Sequence, residues 1–164
     1  MHSRNIAHRD IKLDNVLIEE TTRAIKLIDF GFSVVTPSDG GKLKIFCGTP
    51  SYMAPELVRK HSYDGKQVDM WALGVLLYVM LTGVLPFRGS TEKELFDKIQ
   101  KGKFCMTHSR LESSRDAQLL IKGLLRVDGQ ARMTAEQVIN HPFVKCDDLN
   151  LSIYESASSI LREE

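Results

Sequence analysis

The sequence predicts a mainly α-helical domain with one small β-hairpin near its N-terminal end. Two short apolar runs rich in β-branched residues, 15–18 and 24–29, flank a polar stretch, which is the pattern of a hairpin. From Val68 onward, the apolar residues recur at helical spacing. The intervening residues 30–56 are rich in Gly, Pro, Ser and Thr, and we expect them to form one long functional loop.

The strongest helical segment is 68–81, which is apolar almost all round and therefore predicts a helix buried on every side. Gly83 and Pro86 follow it as stop signals. The pattern as a whole indicates four or five helices. Further helices are expected over 90–100, over 113–125 and from 134 to a stop at Pro142.

The composition is that of a globular protein. The chain has 164 residues, of which 43% are hydrophobic and 26% charged, and its net charge of +1 gives no field that favours nucleic acid or an anionic membrane. The longest apolar run, 72–87, is interrupted and is short for a bilayer span of about 20 residues. The three cysteines show no C-x-x-C spacing, so we expect no zinc site and a reducing, cytoplasmic location.

One stretch of eight residues, His-Arg-Asp-Ile-Lys-Leu-Asp-Asn at 8–15, carries three side chains suited to phosphoryl transfer. That reaction needs an acceptor for a hydroxyl proton, a cation beside the moving phosphate charge and a ligand for Mg²⁺. Asp10, Lys12 and Asn15 offer a carboxylate, an ammonium group and an amide in that order.

Two further motifs follow along the chain. Asp-Phe-Gly at 29–31 begins fourteen residues after Asn15, and Ala-Pro-Glu at 54–56 closes the long loop. With His-Arg-Asp they make up the signature set of protein kinases. The chain therefore resembles the C-terminal lobe of a eukaryotic protein kinase over residues 1–144, and 145–164 form a polar tail that we leave unassigned.

The resemblance implies roles for individual residues. Asp10 would orient the substrate hydroxyl group and accept its proton, Lys12 would lie over the transferring phosphate, and Thr49 would bond to both. Asn15 and Asp29 would hold Mg²⁺, a hard ion that prefers oxygen ligands. The residues implied to bind the cofactor ATP are Lys12, Asn15, Leu17 and Asp29.

The resemblance also implies how the cleft is shaped and supported. Residues 16–18 would pack under the adenine or its supporting core. Lys12 together with Thr49 marks kinases that act on serine and threonine, and the overall pattern is closest to the calcium/calmodulin-dependent or AMP-activated-like branch. The implied substrate pocket consists of Asp14, Phe46, Pro50 and Met53. The implied structural residues are His8, Arg9, Phe30, Glu56, Asp69 and Arg132, with Glu56 paired to Arg132 and Asp69 bonded to the backbone near His8.

The sequence departs from the family pattern in half of the nucleotide cleft. The 164 residues contain no G-x-G-x-x-G motif. The lysine that binds the phosphates in the family and its glutamate partner are also not found. Met1 resembles an internal methionine of an interior helix. We therefore expect a protein-kinase-like C-terminal lobe with the N-terminal lobe missing, a fragment with little or no activity alone.

A second departure concerns regulation. In the family, the arginine at the position of Arg9 normally binds a phosphate group on the long loop. The position that usually carries this phosphate is Ile45 here. The position three residues after the glycine of Asp-Phe-Gly, where a basic or polar residue often assists, is Val34. We expect the loop to be ordered without phosphate at position 45. Thr36 and Ser38 remain candidate phosphosites.

Two functions stay open. The first is a serine/threonine protein kinase with protein substrates, ATP and Mg²⁺, and the intact Asp10, Lys12, Asn15 and Asp29 favour it. The second is a non-catalytic binding or docking module made of a lone kinase lobe, with a regulatory protein as its possible partner. We expect no nucleic-acid or membrane partner. A small-molecule kinase lacks support, since such relatives do not normally carry Ala-Pro-Glu.

Overall fold

The structure, a computed structural model, describes residues 1–37 and 40–145 of the chain. The polar tail, apart from Lys145, and the candidate phosphosite Ser38 lie outside these residues. Within the described ranges, no helix combines the length and the apolar character needed to cross a membrane.

Short strands form two separate antiparallel pairs in the described residues. The second and third strands confirm the predicted hairpin, because Val16 lies opposite Leu27 and Ile18 lies opposite Ile25. In chain order, the strands are β1 (Ile6–Ala7), β2 (Val16–Ile18), β3 (Ile25–Leu27) and β4 (Val34–Val35).

The pairing of β1 with β4 is absent from the sequence-based expectations. Ile6 lies opposite Val35, and the backbone N–H of Thr36 extends the contact by donating to the carbonyl of Asn5 at 2.7 Å. The expectation of one uninterrupted loop over 30–56 is therefore wrong at its start. It is also wrong at its end, where a 3₁₀ turn and a short helix form.

Seven α-helices lie within the described residues. The three with ten residues or more match three of the predicted helices, although the longest begins three residues before Val68. In chain order, the helices are α1 (Pro55–Val58), α2 (Gly65–Thr82), α3 (Glu92–Lys101), α4 (Ser109–Glu112), α5 (Arg115–Leu124), α6 (Ala135–Ile139) and α7 (Pro142–Lys145).

Side-chain caps explain where the main helices begin, since a side-chain oxygen accepts a hydrogen bond from a free N–H of the first turn. Thr134 and Gln137 form the predicted capping box of α6. Pro142 does not end this helix, which stops at Ile139, but begins α7, because the fixed φ of proline suits the first helical position. The caps of α2, α3 and α5 are Asp64, Thr91 and Ser114.

The core is built around α2, as its apolar sequence predicts. Trp71 and Val75 are fully buried, and the Trp71 ring stacks on Phe87 with the ring centroids 5.5 Å apart. Gly74 lets α5 approach closely, since a Cβ there would lie 2.7 Å from the Cβ of Leu124. The helix is therefore a rigid platform for the loops above it.

Arg132 ties the end of the long loop to the helical base. Its Nη1 and Nη2 donate to the two carboxylate oxygens of Glu56 at 2.8 and 3.0 Å. Nη1 also donates to the carbonyl of Gln67 at 2.6 Å, and Nε donates to that of Arg126 at 3.1 Å. The guanidinium carbon lies 5.1 Å from the Trp71 ring centroid. The structure thus brings together the two residues implied to pair.

Candidate active site

Four of the predicted site residues meet at the carboxylate of Asp10. Its Oδ1 accepts hydrogen bonds from the hydroxyl group and the backbone N–H of Thr49, at 2.8 and 3.1 Å. Its Oδ2 lies 2.9 Å from Nζ of Lys12 and accepts a bond from Nδ2 of Asn15 at 3.2 Å. Lys12 also donates to the Thr49 hydroxyl at 3.1 Å. The four polar groups therefore form one connected network.

The network keeps its charges at neutral pH. Burial of Asp10 opposes ionisation, but the hydrogen bonds and charge of Lys12 and the bonds from Thr49 outweigh it, so that the pKa of Asp10 lies below its ordinary 3.8. The hydrogen bond to Asp10 in turn raises the pKa of Lys12 above its ordinary value. The carboxylate is thus ionised, and it acts as a hydrogen-bond acceptor rather than as a strong base.

Asp69 on α2 holds the backbone just before Asp10. Its Oδ2 accepts the backbone N–H of His8 at 2.8 Å, and its Oδ1 accepts that of Arg9 at 2.7 Å. Asp69 is fully buried, and Nε2 of His2 lies 2.8 Å from its Oδ2. Arg9 has a left-handed φ of 67°, a conformation that persists only where neighbouring contacts hold it. The central helix therefore fixes the path of the loop into Asp10.

The β2–β3 hairpin places Asn15 and Asp29 at the same edge of the site. The backbone oxygen of Asn15 accepts the N–H of Ile28 at 2.9 Å, so Asp29 follows directly beside this pair. Nδ2 of Asn15 donates to the backbone oxygen of Asp10 at 2.8 Å, which turns the amide oxygen away from Asp10. Asp29 has a φ of 60°, and its Oδ1 accepts the N–H of Gly31 at 3.2 Å.

The oxygen atoms of Asn15 and Asp29 fit a hard divalent cation. Mg²⁺ is commonly held by one or two protein oxygen ligands, with water and substrate phosphates completing its shell. Within the described residues, no group of three or more His, Cys, Asp or Glu side chains could hold a metal ion by itself. Asn15 and Asp29 together offer an amide oxygen and a carboxylate, which are ligand types that Mg²⁺ accepts alongside phosphate.

Comparison with known proteins gives the family. The family model described as the protein kinase domain matches residues 1–144. The chain belongs to the protein kinase family. The match covers every residue of the network at Asp10 and both ends of the long loop.

Three relatives named as kinases match nearly the whole kinase chain. The probable serine/threonine-protein kinase MARK-A of Dictyostelium discoideum is 44% identical over 148 residues, which cover 87% of this chain and 13% of that protein. The serine/threonine-protein kinase RAD53 of Saccharomyces cerevisiae is 38% identical over 174 residues, which cover 98% of this chain and 21% of that protein. The putative sperm motility kinase W of Mus musculus is 44% identical over 150 residues, covering 91% and 29%. The chain thus spans less than a third of the length of these relatives.

The kinase hairpin leaves several of its apolar side chains exposed. Leu17, implied to contact ATP, is 50% exposed, and Ile18 is 54% exposed. Packing of residues 16–18 under the adenine or its supporting core therefore stays a prediction, and in this chain the Leu17 and Ile18 side chains are exposed. Both remain accessible to a ligand or to another protein surface.

The residues implied to form a substrate pocket do not all lie together. Pro50 and Met53 are joined by one turn, in which the N–H of Met53 donates to the carbonyl of Pro50 at 3.2 Å. Phe46 packs beside Tyr63 instead, with the ring centroids 6.1 Å apart. Asp14 is exposed. The structure therefore brings Pro50 and Met53 together, whereas Phe46 belongs to a neighbouring aromatic contact.

Phe30 connects two of the kinase motifs. Its ring meets that of His8 edge-on, with the centroids 4.9 Å apart, and Nε2 of His8 forms a hydrogen bond with the carbonyl of Ile28 at 3.0 Å. His8 is fully buried, while Phe30 is half exposed. The Asp-Phe-Gly and His-Arg-Asp motifs are thus held together through one buried histidine.

Two contacts near the site have no counterpart in the motif analysis. Nη1 of Arg9 donates to the hydroxyl group of Tyr63 at 3.0 Å, although the two residues are 54 positions apart. Thr36, a candidate phosphosite, is buried, and its hydroxyl group donates to the carbonyl of Asn5 at 3.1 Å. This placement does not suit a phosphosite. No spacing rule could have found either contact, because tertiary folding alone brings the partners together.

Proposed function

We propose that the chain supplies the catalytic residues of a serine/threonine protein kinase, which transfers the γ-phosphoryl group of ATP to serine and threonine hydroxyl groups of proteins. The observation that carries this proposal is the pair of Asp10 and Lys12, 2.9 Å apart and bridged by the hydroxyl group of Thr49. The names of the relatives, which are serine/threonine-protein kinases, support the same substrate class.

Asp10 would receive the hydroxyl group of the substrate. Its ionised carboxylate would accept a hydrogen bond from that group and take its proton as the bond from oxygen to the γ-phosphorus forms, while the bond from the γ-phosphorus to the bridging oxygen breaks and ADP leaves. In a loose transition state, orientation contributes more than basicity, which agrees with the lowered pKa of Asp10. Lys12 would stabilise the charge on the phosphoryl oxygens. Thr49 would hold both side chains in register.

Asn15 and Asp29 would hold Mg²⁺ together with the phosphates of ATP, and Leu17 would contact the nucleotide. When bound, Mg²⁺ neutralises phosphate charge, and ATP supplies the transferred group. The chain's own contribution is orientation. The bond from Asn15 to the backbone of Asp10 fixes the amide, and the bond from Gly31 fixes one oxygen of Asp29.

Substrate choice would depend on the end of the long loop and on Asp14. Pro50 and Met53 would line an apolar site for the residue after the phosphoacceptor, and Phe46, which packs beside Tyr63, would border it. Asp14 is exposed and would attract a basic residue upstream of the phosphoacceptor. Placement in the calcium/calmodulin-dependent or AMP-activated-like branch stays a prediction.

A graft tests the proposed function. Residues 1–144 would replace the matching segment of a relative whose kinase activity can be measured. We expect the graft to transfer labelled phosphate to serine and threonine, and Asp10→Asn to lower the rate about 100- to 10,000-fold because it removes the proton acceptor. Asp116→Asn is the matched control, since this carboxylate is exposed on α5. A graft whose rate is unaffected by Asp10→Asn would refute the role of Asp10.

The 164-residue chain on its own is expected to show little or no turnover. Its sequence contains no G-x-G-x-x-G loop to cover the phosphates, so half of the electrostatic cradle for ATP is lacking in this chain. Incubation with Mg-ATP and a basic peptide measures this. Robust turnover by the chain alone would contradict the expectation.

A second candidate function is a docking module without catalysis. Apolar side chains that the described structure leaves open favour it: Ile25 is 70%, Val35 72% and Phe30 48% exposed. Exposed apolar surface of this kind commonly marks a contact with another protein. The graft separates the two functions, because a folded graft that binds protein substrates without phosphorylating them would support docking.

A further inference from the structure

Arg9 is held by neutral partners. Its Nε donates to the carbonyl of Phe32 at 2.6 Å, and its Nη1 donates to the carbonyl of Ile45 at 3.3 Å and to the hydroxyl group of Tyr63 at 3.0 Å. The Tyr63 hydroxyl donates onward to the same Ile45 carbonyl at 2.5 Å. Within the part of the chain that the structure describes, no carboxylate forms an ion pair with Arg9. Arg9 therefore joins the two ends of the long loop through main-chain oxygens.

The part of the long loop that leads up to Thr49 offers no side chain for phosphorylation. Residues 40–48 contain no Ser, Thr or Tyr. The next hydroxyl group along the chain, that of Thr49, is already bonded to Asp10 and Lys12. The charge of Arg9 therefore cannot be matched by phosphorylation within 40–48.

Tyr63 contacts this segment at three successive places. Its backbone exchanges two hydrogen bonds with Leu43, at 2.8 and 3.0 Å, its hydroxyl group reaches Ile45, and its ring lies beside Phe46. Tyr63 is only 2% exposed. Burial raises the pKa of its hydroxyl group, so the proton needed for the bond to Ile45 stays in place at neutral pH.

The segment then passes close to the backbone of Arg9 just before the active-site threonine. Gly48 has a φ of 118°, and a Cβ there would lie 3.0 Å from the backbone oxygen of Arg9. A larger residue would push the chain away at this point. The position of Thr49 therefore depends on how firmly the preceding residues are held against Arg9.

We propose that Tyr63 is a positioning residue which, together with Arg9, orders residues 43–49 without any phosphate group. The Tyr63 hydroxyl and the Ile45 carbonyl occupy donors of Arg9 that an anion would otherwise take, and the ordered segment brings Thr49 to Asp10. The consequence for phosphoryl transfer rests on the function proposed above, whereas the contacts of Tyr63 are independent of it.

Hydrogen–deuterium exchange on the phosphatase-treated 164-residue chain tests the proposal. Intact mass confirms that no phosphate is present. The amides of Leu43 and Thr49 should be protected, because they donate to Tyr63 and Asp10. Tyr63→Phe keeps the ring and removes the hydroxyl group, and it should accelerate exchange over 41–49 about fivefold, as expected for one buried hydrogen bond. Unprotected amides in the wild-type chain would overturn the proposal.

Tyr78→Phe is the matched control. Tyr78 is 3% exposed, and its hydroxyl group also donates to a backbone carbonyl, that of Cys105, at 2.9 Å. The variant removes the same group at the same depth but from another part of the fold. Exchange over 41–49 should therefore stay at the wild-type rate. Equal acceleration in both variants would indicate a general loss of stability and would remove the case for Tyr63.

Two further measurements test whether the Arg9 contacts are needed and whether an anion site remains open beside Arg9. Arg9→Lys keeps the charge but cannot reach Phe32 and Ile45 together, so exchange should accelerate over both 30–35 and 41–49. Inorganic phosphate added to the wild-type chain should leave exchange over 41–49 unchanged, whereas slower exchange would reveal an unfilled anion site and refute the proposal. Because no nucleotide is involved, these results do not depend on whether the graft is active.

Discussion

The bidentate contact between Glu56 and Arg132 yields a quantitative prediction about stability. Glu56→Ala removes both carboxylate acceptors, at 2.8 and 3.0 Å, from a guanidinium group whose side chain is 0% exposed. Removing one partner of a buried ion pair costs about 3–5 kcal/mol, because the remaining charge is left without compensation. The bonds of Arg132 to the carbonyls of Gln67 and Arg126 persist, so we expect the lower end, about 3 kcal/mol.

Urea denaturation followed by tryptophan fluorescence measures this loss. Trp71 is the single tryptophan of the chain, is fully buried and lies beneath the Arg132 guanidinium, so it reports on this part of the core. The midpoint should fall while the slope stays unchanged. Adding Arg132→Met to Glu56→Ala should recover part of the loss, since the uncompensated charge is then gone.

Lys98→Met is the control for the ion pair. Lys98 and Glu94 are 2.7 Å apart on α3, but both side chains are more than 40% exposed. Solvent screens such a pair, so the variant should change the free energy of unfolding far less than Glu56→Ala. If the two variants have equal effects, then burial does not decide the contribution of the Glu56 pair, and the reasoning above is refuted.

Three other predictions address packing, pH and the loop. Gly74→Ala should lower the free energy of unfolding by about 1–3 kcal/mol through overlap with Leu124, whereas Gly129→Ala, whose Cβ meets nothing nearer than 3.5 Å, should not; urea titration compares them. Ionised Asp10 stabilises the fold above its ordinary pKa of 3.8, and this contribution is lost as the pH falls through its lower folded pKa. The stability advantage over Asp10→Asn should therefore shrink between about pH 5 and pH 3, and a constant difference would contradict this. Asp69→Asn should accelerate hydrogen exchange of the backbone amides of His8 and Arg9, which donate to the Asp69 carboxylate. Unchanged exchange would argue against the role of Asp69 in holding the loop.

The helices and the hairpin could be predicted because their signals are local. The all-round apolar character of 68–81 predicts the buried α2, and the spacing of Thr134 and Gln137 predicts the capping box of α6. Boundaries were less accurate. Asp64 caps α2 one turn earlier than the apolar run suggests, because the first turn of a helix is specified by its cap rather than by apolar residues.

The residue types of the candidate site could also be predicted, but its geometry could not. Motif spacing singled out Asp10 and Thr49, which are 39 positions apart, without the distances that make them a hydrogen-bonded pair. The pairing of β1 with β4 was missed because each strand has only two residues, so no alternation of apolar and polar side chains can develop. Such short strands form only where the rest of the fold brings them together.

Arg9 shows most clearly how sequence and structure divide the information. Residues 40–48 visibly lack a hydroxyl group, so the sequence alone predicts that no phosphate on this segment meets Arg9. The sequence does not reveal which groups bind Arg9 in place of a phosphate, because Tyr63 lies outside the long loop and belongs to no motif. A buried guanidinium or one bridging two loop ends needs acceptors for its donors, and here two carbonyls and one phenol provide them. These acceptors are neutral and always present. The contacts of Arg9 and Tyr63 should therefore hold residues 43–49 in place whether or not the loop is phosphorylated. This regulatory property follows from the non-local contacts of Tyr63, which the sequence does not show.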